Sequence, residues 1–285
     1  MGTAGGVELG RNAGAGDDVP LVVSTVTDLQ QAALRHVGKA PRRSRWAVID
    51  VLRGVAIVAV VLFHLVWDLG HFGLMDHWTR TPAGRMTGHV IAGTFLFLTG
   101  FSLVLASRGG VKARPFLRRL GKLLACAYAI TLASVIIAPQ WLVTFGILHD
   151  IALTSVLLLP FLRGSKLIAM GAALLSFALP AMISIDSTSR WLTWTGLTPT
   201  LSPSLDVQPL FPLFGVSLLG VVLARLVIER AQVESALAGW APADPLSTTM
   251  QRWGRHTLAI YLLHQPVLFG LLNLLIWTGL ITPRA

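Results

Sequence analysis

Apolar runs dominate this chain, and seven of them approach the roughly 20 residues a helix needs to cross about 30 Å of hydrocarbon. They cover residues 47–67, 88–106, 121–138, 141–162, 166–185, 209–228 and 257–276. Only a Pro139-Gln140 turn separates the third from the fourth. Pro180, Pro212 and Pro266 lie within or near the ends of later runs. Membrane helices tolerate such prolines, usually with a kink. The pattern predicts an all-α fold, a polytopic transmembrane bundle of about seven helices. The segment from Trp191 to Leu201 is rich in Trp, Thr and Pro, and reads as a loop against the headgroups rather than an eighth helix.

No internal repeat of the kind that builds inverted-repeat transporters is visible. The reading is therefore one membrane domain over 45–280 with a short tail at 281–285. Residues 1–44 are Gly-rich, then polar, then mildly amphipathic from Leu21 to His36. The first long apolar run has no small-residue cleavage pattern behind it. This segment is expected to be a cytoplasmic tail, partly disordered, with room for one surface helix.

Charge decides orientation. Lys39, Arg42, Arg43 and Arg45 precede the first span. Arg108, Lys112, Arg114, Arg118, Arg119 and Lys122 lie between the second and third. Arg163 and Lys166 follow the fourth, and Arg225, Arg230, Arg252 and Arg255 lie between the sixth and seventh. The alternate loops carry only Arg80, Arg85 and Arg190. By the excess of Lys and Arg in cytoplasmic loops, the N-terminus is cytoplasmic and the C-terminus lies outside.

Composition agrees with the pattern. Hydrophobic residues make up 54% of the 285 and charged residues only 13%, against roughly 25% charged in soluble domains. Mean hydropathy is +0.68. A formal charge of +10 would raise nucleic acid as a partner for a soluble chain. Here the topology accounts for it, so the lipid bilayer is the expected partner and nucleic acid is not. The single Cys126 excludes an intramolecular disulfide and a Cys-based metal cluster.

Ionisable groups inside a span are costly and commonly functional. Asp50 and Arg53 are three apart, on one face of the first span, and can neutralise each other. His64 and Asp68 are four apart near its outer end, a spacing that lets the carboxylate accept a hydrogen bond from one imidazole nitrogen and leaves the other as acid or base. A helix-mouth boundary pair is the alternative. His149 and Asp150 are neighbours about eight residues into the fourth span, with Asp150 turned about 100° away toward another helix. Tyr261, His264 and Gln265 precede Pro266 in the seventh, where a structural cross-helix hydrogen bond is the rival reading. His89 opens the second span at the interface. None of the ordered metal-binding spacings is present, so no metal is expected. Proton-coupled transport would also use such groups, and a noncatalytic scaffold remains open.

Ile49-Asp50-Val51-Leu52-Arg53-Gly54-Val55-Ala56, followed by His64 and Trp67-Asp68-Leu69, resembles the opening of bacterial members of the heparan-alpha-glucosaminide N-acetyltransferase catalytic-domain family. It also looks like the start of the more distant membrane acyltransferases that modify surface polysaccharides. The stretches Ala92 to Ser102, Phe116 to Arg119, Phe145 to His149 and Gly254 to Pro266 continue the resemblance in order, over about residues 45–270.

The resemblance implies a membrane-bound acyltransferase of the bacterial inner membrane. Its donor would be acyl-coenzyme A, acetyl-coenzyme A above all, and its acceptor an amine or hydroxyl of an extracytoplasmic sugar or glycan. His64 would be base or nucleophile, with Asp68 orienting it and His149 or a buried amide meeting the oxyanion. Arg53, Arg118, Arg119 and Lys122 would take the coenzyme A phosphates, since guanidinium groups bind phosphate bidentately. Asp150, His264 and Gln265 are substrate-binding or structural polar groups. Oligomeric state is left open, a homodimer among the options.

Overall fold

A computed structural model describes Gly2 and residues 45–284, apart from 188 and 201–203. The expectations for the tail over 1–44 lie outside the described residues. Among those described, all regular structure is helical: α1 (Ala47–His71), α2 (Pro82–Ser107), α3 (Ala113–Ile137), α4 (Ile147–Leu157), α5 (Lys166–Met182), α6 (Leu210–Glu229), α7 (Ala231–Gly239), α8 (Pro245–Arg255) and α9 (Thr257–Trp277). The protein is a multi-pass membrane bundle. Helices α1, α2, α3, α6 and α9 are long and apolar enough to cross a membrane.

The predicted fourth span differs from expectation. It is a broken element: a 3₁₀ turn at Pro139–Trp141, an irregular stretch over 142–146, α4, and a second 3₁₀ turn at Leu159–Leu162. At 1.5 Å per residue, α4 covers only about 16 Å, half a bilayer. His149 therefore stands in the first turn of α4, not eight residues into a helix. Exposed backbone cannot be left in lipid, and the irregular stretch is laced to its neighbours. Ser134 Oγ of α3 accepts from Val143 N at 3.0 Å, and Thr131 Oγ1 donates to Val143 O at 2.8 Å. Leu205 N donates to Trp141 O and Gln208 N to Phe145 O.

Helix α6 is the hub, with Leu218, Val221 and Ala224 fully buried. Its crossing with α2 depends on glycine: a Cβ at Gly100 would overlap Ser217 O, and one at Gly220 would overlap Phe97 O. Small residues let membrane helices approach this closely and gain packing that lipid does not offer. Phe211 is non-helical, so the regular part of α6 starts at Pro212, whereas Pro180 and Pro266 lie inside continuous helices. Residues 191–200 form no long helix, only a 3₁₀ turn at Thr193–Thr195.

Contacts gather the basic segments at one end. Arg108 pairs with Glu234 and stacks over Trp46. Lys166 pairs with Glu229, and Arg225 donates to Gly164 O. At the opposite end, Arg284 N donates to Gly73 O at 2.9 Å, which ties the chain after α9 to the turn after α1.

Candidate functional site

At the basic end, Asp50 in the first turn of α1 is 2% exposed and faces three guanidinium groups. Arg45 Nη2 is 3.2 Å away, Arg53 Nη1 3.5 Å and Arg255 Nε 3.5 Å. Arg53 also donates to Ser102 Oγ of α2 at 2.7 Å. Arg119 is half-buried within electrostatic reach of Arg53. Of the four cations expected together, Arg53 and Arg119 converge, while Arg118 and Lys122 lie on the exposed side of α3. Arg255, in sequence a cation of the segment between the sixth and seventh spans, approaches Asp50 only through the fold.

The polar residues of α1 and α9 meet farther along the bundle. The rings of His64 and His264 are edge to face, 4.7 Å between centroids. His64 Nδ1 lies 2.9 Å from Val60 O, and His264 Nδ1 lies 2.7 Å from Tyr261 O. A carbonyl can only accept, so each neutral ring carries its proton on Nδ1 and its lone pair on Nε2. The spacing that permits a His64–Asp68 bond is therefore not used. Val60 O, one turn back on the same helix, accepts the hydrogen bond from the imidazole N–H. Asp68, fully buried, instead accepts from Gln265 Nε2 of α9 at 2.6 Å. Its Oδ2, Gln265 Oε1 and His264 Nε2 are buried without a protein partner.

His149 has the opposite tautomer. Its Nδ1 accepts from Gly146 N at 3.3 Å, which leaves the proton on Nε2. The ring packs between Phe145 and Tyr128, at centroid distances of 5.8 and 5.5 Å. Asp150 does not reach another helix; its Oδ1 accepts from Thr154 Oγ1 within α4 at 2.9 Å. His89 is exposed, with Nδ1 2.7 Å from Arg85 O.

One residue at the site belongs to no motif of the sequence. Asp206, in the connection before α6, accepts from Ile147 N at 3.0 Å and from Tyr261 Oη at 2.9 Å through the same oxygen. A Cβ at Gly146 would overlap that carboxylate, which explains glycine in the Phe145-Gly146-Ile147 run. The only hint in the sequence was an acidic residue just before an apolar span. A path of contacts results: His64 packs on the His264 ring, His264 Nδ1 bonds the Tyr261 carbonyl, the Tyr261 hydroxyl bonds Asp206, and Asp206 bonds the start of α4, which carries His149. Among the described residues, no three His, Cys, Asp or Glu side chains converge as a metal site would require.

Residues 45–266 match the family described as heparan-alpha-glucosaminide N-acetyltransferase, catalytic. The chain belongs to that family. No curated protein matches it. The matched region contains both the arginine cluster and the whole histidine path, and it ends at Pro266, directly after Gln265. Membership makes this a membrane protein of an acetyltransferase family.

Proposed function

We propose that the protein transfers an acyl group, acetyl in the first instance, from acyl-coenzyme A to an amine or hydroxyl of a sugar across a bacterial inner membrane. The observation that carries this reading is a histidine path inside an apolar bundle with an arginine cluster at its basic end. In this reading the basic end, residues 1–44 and the coenzyme are cytoplasmic, and the acceptor arrives from the opposite side. Residues 45–280 form the catalytic domain.

Arg53 and Arg119, with Arg255 beside them, hold the coenzyme phosphates. The thioester reaches the histidines between the helices. His64 Nε2 takes the proton from the acceptor N–H or O–H as that atom bonds to the thioester carbonyl carbon. Negative charge develops on the carbonyl oxygen, and the Nε2–H of His149 donates to it. The C–S bond then breaks, and the coenzyme thiolate recovers the proton from His64. Should His64 attack first, the same atoms pass through an acyl-imidazole. Asp68 and Gln265, with unused acceptor oxygens, hold donors of the acceptor sugar.

Replacing His64 with Ala and following transfer from labelled acyl-coenzyme A, in membranes with equal folded protein, tests the assignment. Loss of transfer is expected; unchanged transfer sinks His64 as base or nucleophile. The broken α4 favours a second reading, proton-coupled transport, because interrupted helices form many transporter sites. Solute accumulation in sealed vesicles that follows a proton gradient without any thioester would establish that reading instead.

A further inference from the structure

We infer that Asp206 is a positioning residue that caps α4 from a distance and thereby holds His149 as an Nε2–H donor. The inference rests on the acyl-transfer reading only for its consequence in catalysis; the geometry stands apart from it.

A helix begins with backbone N–H groups that have no intrahelical partner. Normally an N-cap side chain accepts from one of them, and a residue three positions on reaches back to the N-cap N–H. Gly146 occupies the N-cap of α4 and has no side chain. The two halves of the cap come from different places. Asp206, 59 residues away in sequence, accepts from Ile147 N, while His149, at the third helical position, accepts from Gly146 N. The carboxylate fills the space a Gly146 side chain would need. A negative charge at this point is also favoured by the helix dipole.

The His149 tautomer depends on this division. Its Nδ1 is the acceptor because Gly146 N–H points back at it. That direction is set by the backbone entering α4, which Asp206 pins at Ile147. Tyr261 pins the carboxylate in turn from α9, one turn before His264. If the pin is removed, the first turn frays and Nδ1 becomes free to carry the proton. His149 would then offer a lone pair at Nε2 where the mechanism needs a donor.

The test uses full-length protein in lipid bilayers with ¹⁵N-labelled histidine. A His149→Gln sample assigns the His149 signals among the eight histidines of the chain. Wild type is expected to show His149 as Nε2–H. Asp206→Ala should bring in a population of the Nδ1–H form and lower kcat by about tenfold or more, a fraction of the effect of losing an oxyanion donor outright. KM should change by less than about threefold. Asp206→Asn keeps an acceptor oxygen and should restore Nε2–H and most of kcat. Tyr261→Phe should produce a smaller Nδ1–H population than Asp206→Ala. Retention of pure Nε2–H in Asp206→Ala overturns the inference, as does an Asn variant as altered as Ala. Should the Ala variant not fold, an unaltered tautomer in Tyr261→Phe overturns it. A wild-type protein inert toward every acyl-thioester would overturn the acyl-transfer reading, whereas the tautomer signals judge the positioning role by themselves.

Discussion

Gly254 of α8 packs directly on the main chain of Asp50 in α1, so closely that a Cβ at Gly254 would overlap the Asp50 carbonyl oxygen. One turn on, Gly54 meets Met250 O in the same way. This crossing delivers Arg255 to Asp50 and builds the arginine cluster from two ends of the chain. The Asp-x-x-Arg-Gly and Gly-Arg-His runs that carried the family resemblance are two sides of one contact.

Alanine at Gly54 or Gly254 should therefore destabilise the protein by about 1–3 kcal/mol, the usual cost of forcing atoms into a filled site. Gly171 and Gly270, whose added Cβ atoms meet nothing, are the controls. Alanine there should be neutral or stabilising by about 0.5–1 kcal/mol, since glycine is the poorer residue inside a helix. Thermal unfolding in detergent reads the difference. A Gly54→Ala melt equal to that of Gly171→Ala would refute the close crossing.

The arginine cluster predicts an uneven response to charge removal. Arg53→Gln and Arg119→Gln should each weaken binding of labelled coenzyme A by about tenfold or more, in line with roughly 1.5–3 kcal/mol for a hydrogen bond to a charged group. Arg118→Gln and Lys122→Gln, on the exposed side of α3, should change it by less than about threefold. Equal losses at all four positions would favour a diffuse surface potential over a docking site.

The tautomer of His149 predicts that a donor can replace it in part. His149→Ala should lower kcat about 10²- to 10³-fold, the typical cost of one oxyanion donor. His149→Gln, whose amide N–H can point the same way, should fall less. Single-turnover rates with acyl-coenzyme A separate the two, and an Ala variant as active as Gln would remove His149 from the chemistry.

Asp244 caps α8, accepting from Ser247 N at 2.9 Å. The Ser247 hydroxyl and N–H hold its carboxyl below the usual range. A depressed folded-state pKa gives stability that is present above the unfolded value, near pH 4, and lost as pH falls through the folded value. The protection of amides at the start of α8, taken as their exchange rate relative to the intrinsic rate at the same pH, should fall on acidification below about pH 4. In Asp244→Ala that protection should already be low at neutral pH and should not fall further with this acidification.

What the amino-acid sequence determined by itself was the medium, the class of fold and the family. Solubility in lipid is a property of each segment: a run of some 20 apolar residues prefers hydrocarbon whatever it later packs against. The alternation of Arg and Lys between loops is likewise local, and contacts at the basic end agree with it. The broken fourth span was within reach of that reading, since Pro139, Gly146 and Pro160 punctuate it, but its apolar composition hid the interruption. Side-chain partnership was decided only in three dimensions. His64 and Asp68 have the spacing for a pair, yet Val60 O accepts from the imidazole and Gln265 donates to the carboxylate. Asp206 belongs to no motif, and only the fold sets it against α4 and α9. Which faces meet depends on where glycines let backbones cross, as at Gly54, Gly100, Gly220 and Gly254. No single segment contains that information, because each crossing is a property of two helices.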